Sequence, residues 1–336
     1  MGRSDGGWSG ALSQLIDGSG RHIDYLRISV TDKCNFRCLY CMPEEGLQWL
    51  PKADILTYEE ITDVVRQMLP LGVTRLRITG GEPLIRPDLD RLISQLKNVD
   101  GIEDIALSTN GVHLPRLAAA LAAAGLDRVN LSADSLRADR IASISRRSVG
   151  FDPIAAALSA ERAGLSPVKI NVVVMRGVND DEIEDFARLT LDHPWHIRFI
   201  ELMPVGEMRD VTWDHVVPSD EILDRIAAIA PLSAAAGPSG NGPAKYFAFD
   251  GAPGSVGVIT PMTHTYCATC NKVRLTADGR LRTCLFGDHE LDLRTPLRAG
   301  RPISGIVEAG LLEKPAEHHL LQMKVGGLRA LSEVGG

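Results

Sequence analysis

The stretch Tyr25-Leu26-Arg27-Ile28-Ser29-Val30-Thr31-Asp32-Lys33-Cys34-Asn35-Phe36-Arg37-Cys38-Leu39-Tyr40-Cys41 decides how this chain is read. Its first half alternates and is rich in β-formers, so a strand is expected over residues 25–31. Its second half spaces three cysteines as C-x3-C-x2-C. Three thiols so close cannot be paired off into disulfides, and soft thiolates select iron–sulfur clusters, zinc or copper(I). A four-iron cluster wants four ligands, so three leave one iron open to something that is not protein. A structural zinc site is the alternative reading, but it needs a fourth ligand, and no His lies between residues 23 and 112.

Outward from this loop, strand and helix patterns alternate. Thr57-Tyr58-Glu59-Glu60 has the form of a capping box ahead of Ile61, Val64, Val65 and Met68 at helical spacing. Further strands are expected over residues 73–79, 102–109, 129–133, 168–175 and 196–203. Helices are expected over 88–98, up to 124, around 141, over 152–163 and over 180–191. Six such units with right-handed crossovers make an α/β fold, an incomplete TIM-like (β/α)6 barrel with its chemistry at the C-terminal ends of the strands. After residue 203 the pattern changes to a helix over 219–230, a Gly/Pro/Ser/Ala stretch over 234–244 read as a mobile loop, and strand-like runs over 245–249, 256–260 and 273–283. The last run folds at Ala277-Asp278-Gly279-Arg280, a hairpin turn that returns Cys284 toward Cys267 and Cys270. The expected organisation is a Gly- and Ser-rich flexible tail (1–20), a partial barrel (21–204) and a C-terminal α+β region (205–336).

With 44% hydrophobic and 24% charged residues among 336, the chain has the composition of an ordinary globular protein. A formal charge of −7 argues against a general nucleic-acid or membrane binder. No signal-peptide pattern and no apolar run of membrane-spanning length stand out, so a reducing cytoplasm is the expected compartment. Six cysteines there suggest metal or catalysis before disulfides, and they fall in two triplets, Cys34, Cys38, Cys41 and Cys267, Cys270, Cys284.

The second triplet is C-x2-C-x13-C. It reads either as a zinc ribbon, with His264 or His289 as fourth ligand, or as a second cluster whose open iron could bind substrate. Gly80-Gly81-Glu82-Pro83 is a turn that lets backbone approach a ligand, with Glu82 able to pair with an ammonium group. Arg27, Arg77 and Lys169 sit on expected strands as either solvated strand ends or a cationic pocket suited to a triphosphate, which Lys272 and Arg274 would extend. Ser108 and Ser132 end strands as caps or as nucleoside contacts. Met203 reads as core, His318-His319 as surface, and the acidic run 180–185 as a solvated helix start.

With both triplets in place, the chain resembles the GTP 3′,8-cyclase family of radical S-adenosylmethionine (SAM) enzymes, which serve molybdenum cofactor biosynthesis. The carriers are Asp32 to Cys41, Thr79-Gly80-Gly81-Glu82-Pro83, Arg198-Phe199-Ile200-Glu201-Leu202-Met203, Tyr266-Cys267-Ala268-Thr269-Cys270-Asn271-Lys272 and the tail Val334-Gly335-Gly336. The resemblance implies two [4Fe-4S] clusters, the first on Cys34, Cys38 and Cys41 with SAM on its open iron, the second on Cys267, Cys270 and Cys284 facing guanine. It implies SAM contacts from Tyr40, Gly81, Glu82, Ser132 and Met203. It implies GTP contacts from Arg27, Arg77, Ser108, Lys169, Lys272, Val273 and Arg274, with Gly335 and Gly336 entering the active site. Ser108 stands where the family commonly has Thr, and Lys272 where Arg is usual, which removes a bidentate fork. The implied reaction uses a 5′-deoxyadenosyl radical to take the ribose 3′ hydrogen of GTP, after which the sugar closes onto guanine carbon 8. An electron donor, a partner enzyme that converts the product to cyclic pyranopterin monophosphate, and a homodimer are also implied. The rivals are a radical SAM enzyme that modifies a peptide, which would carry a docking extension and extra cysteines, and a zinc or iron–sulfur sensor for nucleic acid, which would need a basic recognition element.

Overall fold

The first strand, β1 (Tyr25–Ser29), buries Leu26 and Ile28 on one face and turns Arg27 to the other, as a period of two dictates. The computed structural model describes residues 14–204, 212–240, 242–318 and 329–335. Strand and helix then alternate as α1 (Tyr58–Met68), β2 (Arg75–Thr79), α2 (Leu89–Lys97), β3 (Asp104–Thr109), α3 (Leu114–Ala123), β4 (Arg128–Ser132), α4 (Ala138–Ser145), α5 (Pro153–Arg162), β5 (Lys169–Val174), α6 (Ile183–Asp192) and β6 (His196–Glu201). Local chemistry starts the helices where expected. Thr57 accepts from the Glu60 amide at 3.1 Å while Glu60 accepts from the Thr57 amide at 2.8 Å, and Asp152 caps α5 ahead of Pro153. The stripe Ile61, Val64, Val65 and Met68 is fully buried against the sheet, each side chain contributing roughly 1.5–3 kcal/mol.

The C-terminal region continues the sheet instead of forming a layer of its own. It contributes α7 (Ser219–Ala227), β7 (Leu232–Ala235), β8 (Lys245–Phe249), β9 (Ser255–Ile259), β10 (Lys272–Leu275), β11 (Arg280–Arg282), β12 (Glu290–Asp292), α8 (Arg294–Arg298) and α9 (Ser304–Leu312). Among the described residues the strands form one twelve-stranded sheet in the order β12-β11-β10-β1-β2-β3-β4-β5-β6-β9-β8-β7. β10 pairs in parallel with β1 and β9 in parallel with β6, so the six expected parallel strands become eight, flanked by antiparallel pairs. Apolar alternation cannot reveal this, because pairing partners far apart in sequence leave no local signal.

Three further differences have local causes. Residues 14–20 belong to the fold and not to a flexible tail: Leu15 is buried, its amide donates to Leu71 O at 2.9 Å, and Ile16 bridges His22. β7 occupies the start of the stretch read as a mobile loop, its small residues pairing with β8. Glu182, in the acidic run read as solvated, is buried and accepts from Ser135 Oγ and Leu136 N, both at 2.7 Å.

Candidate functional site

A cavity of about 240 Å³ is walled by side chains from all eight parallel strands, including Arg27, Arg77, Ser108, Ser132, Asn171, Arg198, Ile259 and Arg274. Its charge is one-sided. Arg27, Arg77, Arg198, Lys272, Arg274 and Lys314 face it, and Asp134 is the carboxylate that lines it among the described residues. The register explains the concentration: Arg27 stands directly opposite Arg77 on β2 and opposite Arg274 on β10, and Arg274 in turn opposite Arg282 on β11. Like charges side by side on a sheet are unfavourable without a counter-charge.

Their protonation reflects that crowding. Burial, then Arg274 and Arg77, hold Arg27 well below its ordinary value. Burial, then Arg198, Arg128 and Arg77, bring Lys169 down to about 6. Burial lowers Arg198 and Arg274 to about 10 each. Lys272 falls to about 8, with burial the main cause. Such a set is built to be completed by a polyanion, whose negative charge would restore every one of these cations. Lys169 does not line the cavity; its Nζ donates to Ser239 O, beside Gly240.

The first triplet sits on a loop held from several sides. The Arg37 and Leu39 amides donate to Ser145 O (2.8 Å) and Ile144 O (3.0 Å), and Asn110 Nδ2 donates to Asn35 Oδ1 at 2.7 Å. Tyr40 Oη donates to Asp134 Oδ2 at 2.8 Å, tying the loop to the end of β4. Gly81 packs against the residues just before Cys34: its amide donates to Thr31 O at 2.7 Å, and a Cβ there would lie 2.2 Å from Lys33 O. Cys38 joins Tyr40, Ser132 and Asp134 around a smaller adjoining cavity of about 40 Å³.

The thiols of the two triplets are not all shifted the same way, although burial raises Cys267 as it raises the first three. Burial first, then neighbouring negative groups, raise Cys34 to about 11, Cys41 to about 12 and Cys38 well above its ordinary value. Thiolates there need a cationic centre to hold them, which is what a soft-ligand iron cluster provides. Cys267, Cys270 and Cys284 line the large cavity itself. Burial raises Cys270, but Lys314, then Lys272 and Arg21, outweigh it and bring the thiol below its ordinary value. No three His, Cys, Asp or Glu side chains among the described residues are arranged to hold a single metal ion. The two histidines proposed as zinc ligands are engaged elsewhere, His264 facing Asp220 at 3.9 Å and His289 facing Glu313 at 3.3 Å.

Most of the expected site residues converge. Tyr40, Ser132, Met203, Arg27, Arg77, Ser108, Lys272 and Arg274 all line the cavity. Val273 does not: it is fully buried in the helix-facing core, because alternation sends it the opposite way from Lys272 and Arg274. Glu82 is buried outside the cavity wall, its carboxylate accepting from Leu84 N (2.9 Å), Thr109 Oγ1 (2.7 Å) and Asn110 N (2.7 Å). Gly335 O and Val334 O accept from Arg274 Nη1, so the chain end reaches the arginine row; Gly336 lies outside the described residues. Asp134, Arg198 and Tyr266 lie in motif segments of the sequence but are given no site role by it, Asn171 is missed by sequence reasoning altogether, and His318, read as surface, is buried; all five line the cavity.

Residues 28–190 match the Radical SAM superfamily and residues 195–320 match Molybdenum Cofactor Synthesis C. The chain is 48% identical over 320 residues to a GTP 3′,8-cyclase of Pelotomaculum thermopropionicum, covering 94% of this chain and 98% of that one. It is 46% identical over 332 residues to a GTP 3′,8-cyclase of Heliobacterium modesticaldum, covering 96% and 100%. Among solved structures, Streptococcus suis SuiB bound to S-adenosylmethionine superposes with a TM-score of 0.58 at 14% identity, covering 89% of this chain and 73% of that one. At that identity the likeness concerns the fold.

Proposed function

The chain belongs to the GTP 3′,8-cyclase family of radical SAM enzymes, and from that premise we infer how its cavity carries out the cyclisation of GTP. The observation that carries the reading is the in-register row Arg77, Arg27 and Arg274, which meets the second cysteine triplet in one cavity. A nucleoside triphosphate matches both ends of that arrangement: a polyanion for the arginines, and a base with lone pairs for an open iron.

In this reading Cys34, Cys38 and Cys41 hold a [4Fe-4S] cluster, and Cys267, Cys270 and Cys284 hold a second. When bound, the first cluster and SAM supply a 5′-deoxyadenosyl radical able to take the 3′ hydrogen of the ribose, the chemistry of the cofactor. The chain does the rest by position and charge. Arg27, Arg77, Arg198, Lys272 and Arg274 bind the triphosphate, Lys169 supports them from outside the lining, and Ser108 offers a hydroxyl to the nucleoside. Tyr40, Ser132 and Met203 bind SAM, with Gly81 presenting its backbone and Glu82 bracing the ends of β2 and β3. Ile200, Leu202, Ile259 and Phe286 give the cavity an apolar lining that would help to exclude water. Fixing the ribose over the base converts ring closure into an effectively unimolecular step. Gly335, with Gly336 beyond it, contributes to the site from the arginine side. The six strand–helix units with β9 and β10 added support a partial barrel around the site.

An electron donor, a partner enzyme that converts the cyclised nucleotide to cyclic pyranopterin monophosphate, a homodimer and a cytoplasmic location belong to the same reading. No helix among the described residues is long and apolar enough to cross a membrane. GTP deuterated at carbon 3′ tests the reaction. The deuterium is expected in 5′-deoxyadenosine, and unlabelled 5′-deoxyadenosine formed with product would overturn the assigned hydrogen.

A further inference from the structure

The second cysteine triplet comes from two pieces of chain, 267–270 and the residue Cys284, and two buried cations outside it tie both to one short segment. Lys314, just after α9, donates through Nζ to Lys272 O at 3.0 Å and to Thr283 O. Lys272 stands two residues beyond Cys270, and Thr283 immediately precedes Cys284. Arg21 holds the start of the first piece: Nη1 donates to Cys267 O at 2.9 Å and to Ala316 O at 3.0 Å, and Nη2 donates to Pro315 O at 2.8 Å. Residues 314–316 are therefore a strap to which every ligand-bearing segment is fastened.

Arg21 is itself held in place. Its Nε donates to Asp17 Oδ2 at 2.6 Å, and Asp17 Oδ1 accepts from the amides of Ser19 and Arg21. The arch that carries both is pressed onto the end of α9, where a Cβ on Gly18 would lie 2.6 Å from Leu312 O. Arg21 precedes the residues matched to the Radical SAM superfamily. The two cations differ in charge balance. Asp17 neutralises Arg21, whereas the described partners of Lys314 are carbonyls, so its positive charge stays directed at the triplet.

We propose that Lys314 and Arg21 are positioning residues for the second cysteine triplet, and that Lys314 also sets the potential of the centre held there. The inference rests on the reading that this triplet holds an iron–sulfur cluster. Outer partners of metal ligands typically govern about 10- to 100-fold in metal affinity, and nearby charge tunes cluster potential.

The test uses the full chain in two backgrounds. Cys34→Ser/Cys38→Ser/Cys41→Ser leaves the second centre alone, and Cys267→Ser/Cys270→Ser/Cys284→Ser leaves the first. Iron release to a chelator and the midpoint potential followed by electron paramagnetic resonance are the readouts. In the first background, K314M and R21M should each release iron at least about tenfold faster than the parent. K314M should also move the potential to more negative values, and K314R should restore it. In the second background both substitutions should leave iron release unchanged. Equal release and equal potential in K314M would overturn the proposal. So would equal loss from both backgrounds, since a strap specific to one triplet predicts asymmetry. If the first background takes up no iron with its second triplet intact, the cluster reading fails and the strap falls with it.

Discussion

Arg27 and Arg274 occupy opposed positions on neighbouring parallel strands, although one comes from the first strand of the chain and the other from its C-terminal region. The pairing joins the two halves of the protein at the point where the substrate's charge is expected. It also places a cost on the empty protein, because Arg77 extends the row on the other side of Arg27.

Arg77→Met separates that cost from its use. Arg77 is buried, stacks over the Tyr25 ring at 5.6 Å, and has no carboxylate partner among the described residues. Replacing a buried cation by an apolar side chain should stabilise the nucleotide-free protein by about 1 kcal/mol in thermal denaturation. The same change should weaken GTP binding by about 1.5–3 kcal/mol, roughly ten- to hundred-fold, in equilibrium dialysis. A variant that lost both stability and affinity would mean that the row is structural.

Lys169 gives the binding a pH signature. Its pKa of about 6 lies below the ordinary lysine value, so in free protein it is largely neutral above pH 6. Because the unfolded chain then binds more protons than the folded one, the contribution of this group to stability rises with pH from about 6 toward the ordinary value. A bound polyphosphate should push the pKa back up and draw in a proton, so the affinity contributed by this group should fall as pH rises above 6. Calorimetry in buffers of different ionisation enthalpy should show more proton uptake by the parent than by Lys169→Met; equal uptake would exclude the group.

Tyr40→Phe removes the 2.8 Å bond from the Tyr40 hydroxyl to Asp134. Burial already raises the Asp134 carboxyl to about 6, and without this donor it should rise further. A raised carboxyl pKa favours folding at low pH and loses that contribution as pH climbs through it. The stability gap between parent and variant should therefore be small below pH 6 and open to about 1–2 kcal/mol above it. Denaturation series at pH 5 and pH 8 would show whether the gap depends on pH.

Gly81→Ala probes the first centre alone. Its Cβ would sit 2.2 Å from Lys33 O and 2.6 Å from Asp32 O, both backbone atoms that cannot move aside cheaply. The cysteine loop should shift, at a cost of up to about 3 kcal/mol. Reconstituted protein should then hold about four irons in place of about eight, the remainder on the second triplet. Full iron content would show that the turn does not shape the loop.

The strand–helix succession and both thiol triplets could be read from the sequence because their signals are local: alternation, capping boxes and ligand spacing. The third residue of each strand was only partly read. Tyr-Leu-Arg, Arg-Leu-Arg, Arg-Val-Asn, Lys-Ile-Asn, His-Ile-Arg and Lys-Val-Arg open β1, β2, β4, β5, β6 and β10 with one repeated polar–apolar–polar pattern. Arg27, Arg77 and Arg274 stand out in it as cations for a triphosphate, while Arg198 figures only within a family segment and Asn171, at the same offset, carries no local signal. The placement of β9 and β10 at opposite edges of the parallel strands, and the burial of His318, depend on pairings between distant segments and left no local trace.

Cyclisation of GTP should need both triplets, the second in the arginine-lined cavity and the first beside the adjoining cavity that Cys38 lines. Anaerobic reaction of reconstituted parent and Cys284→Ser with SAM, dithionite and GTP, followed by mass spectrometry, tests this requirement most directly. The parent should yield 5′-deoxyadenosine and a GTP isomer of unchanged mass, while Cys284→Ser should still cleave SAM but form no isomer. Cleavage of SAM by the parent with GTP unaltered, or full turnover by Cys284→Ser, would contradict the account.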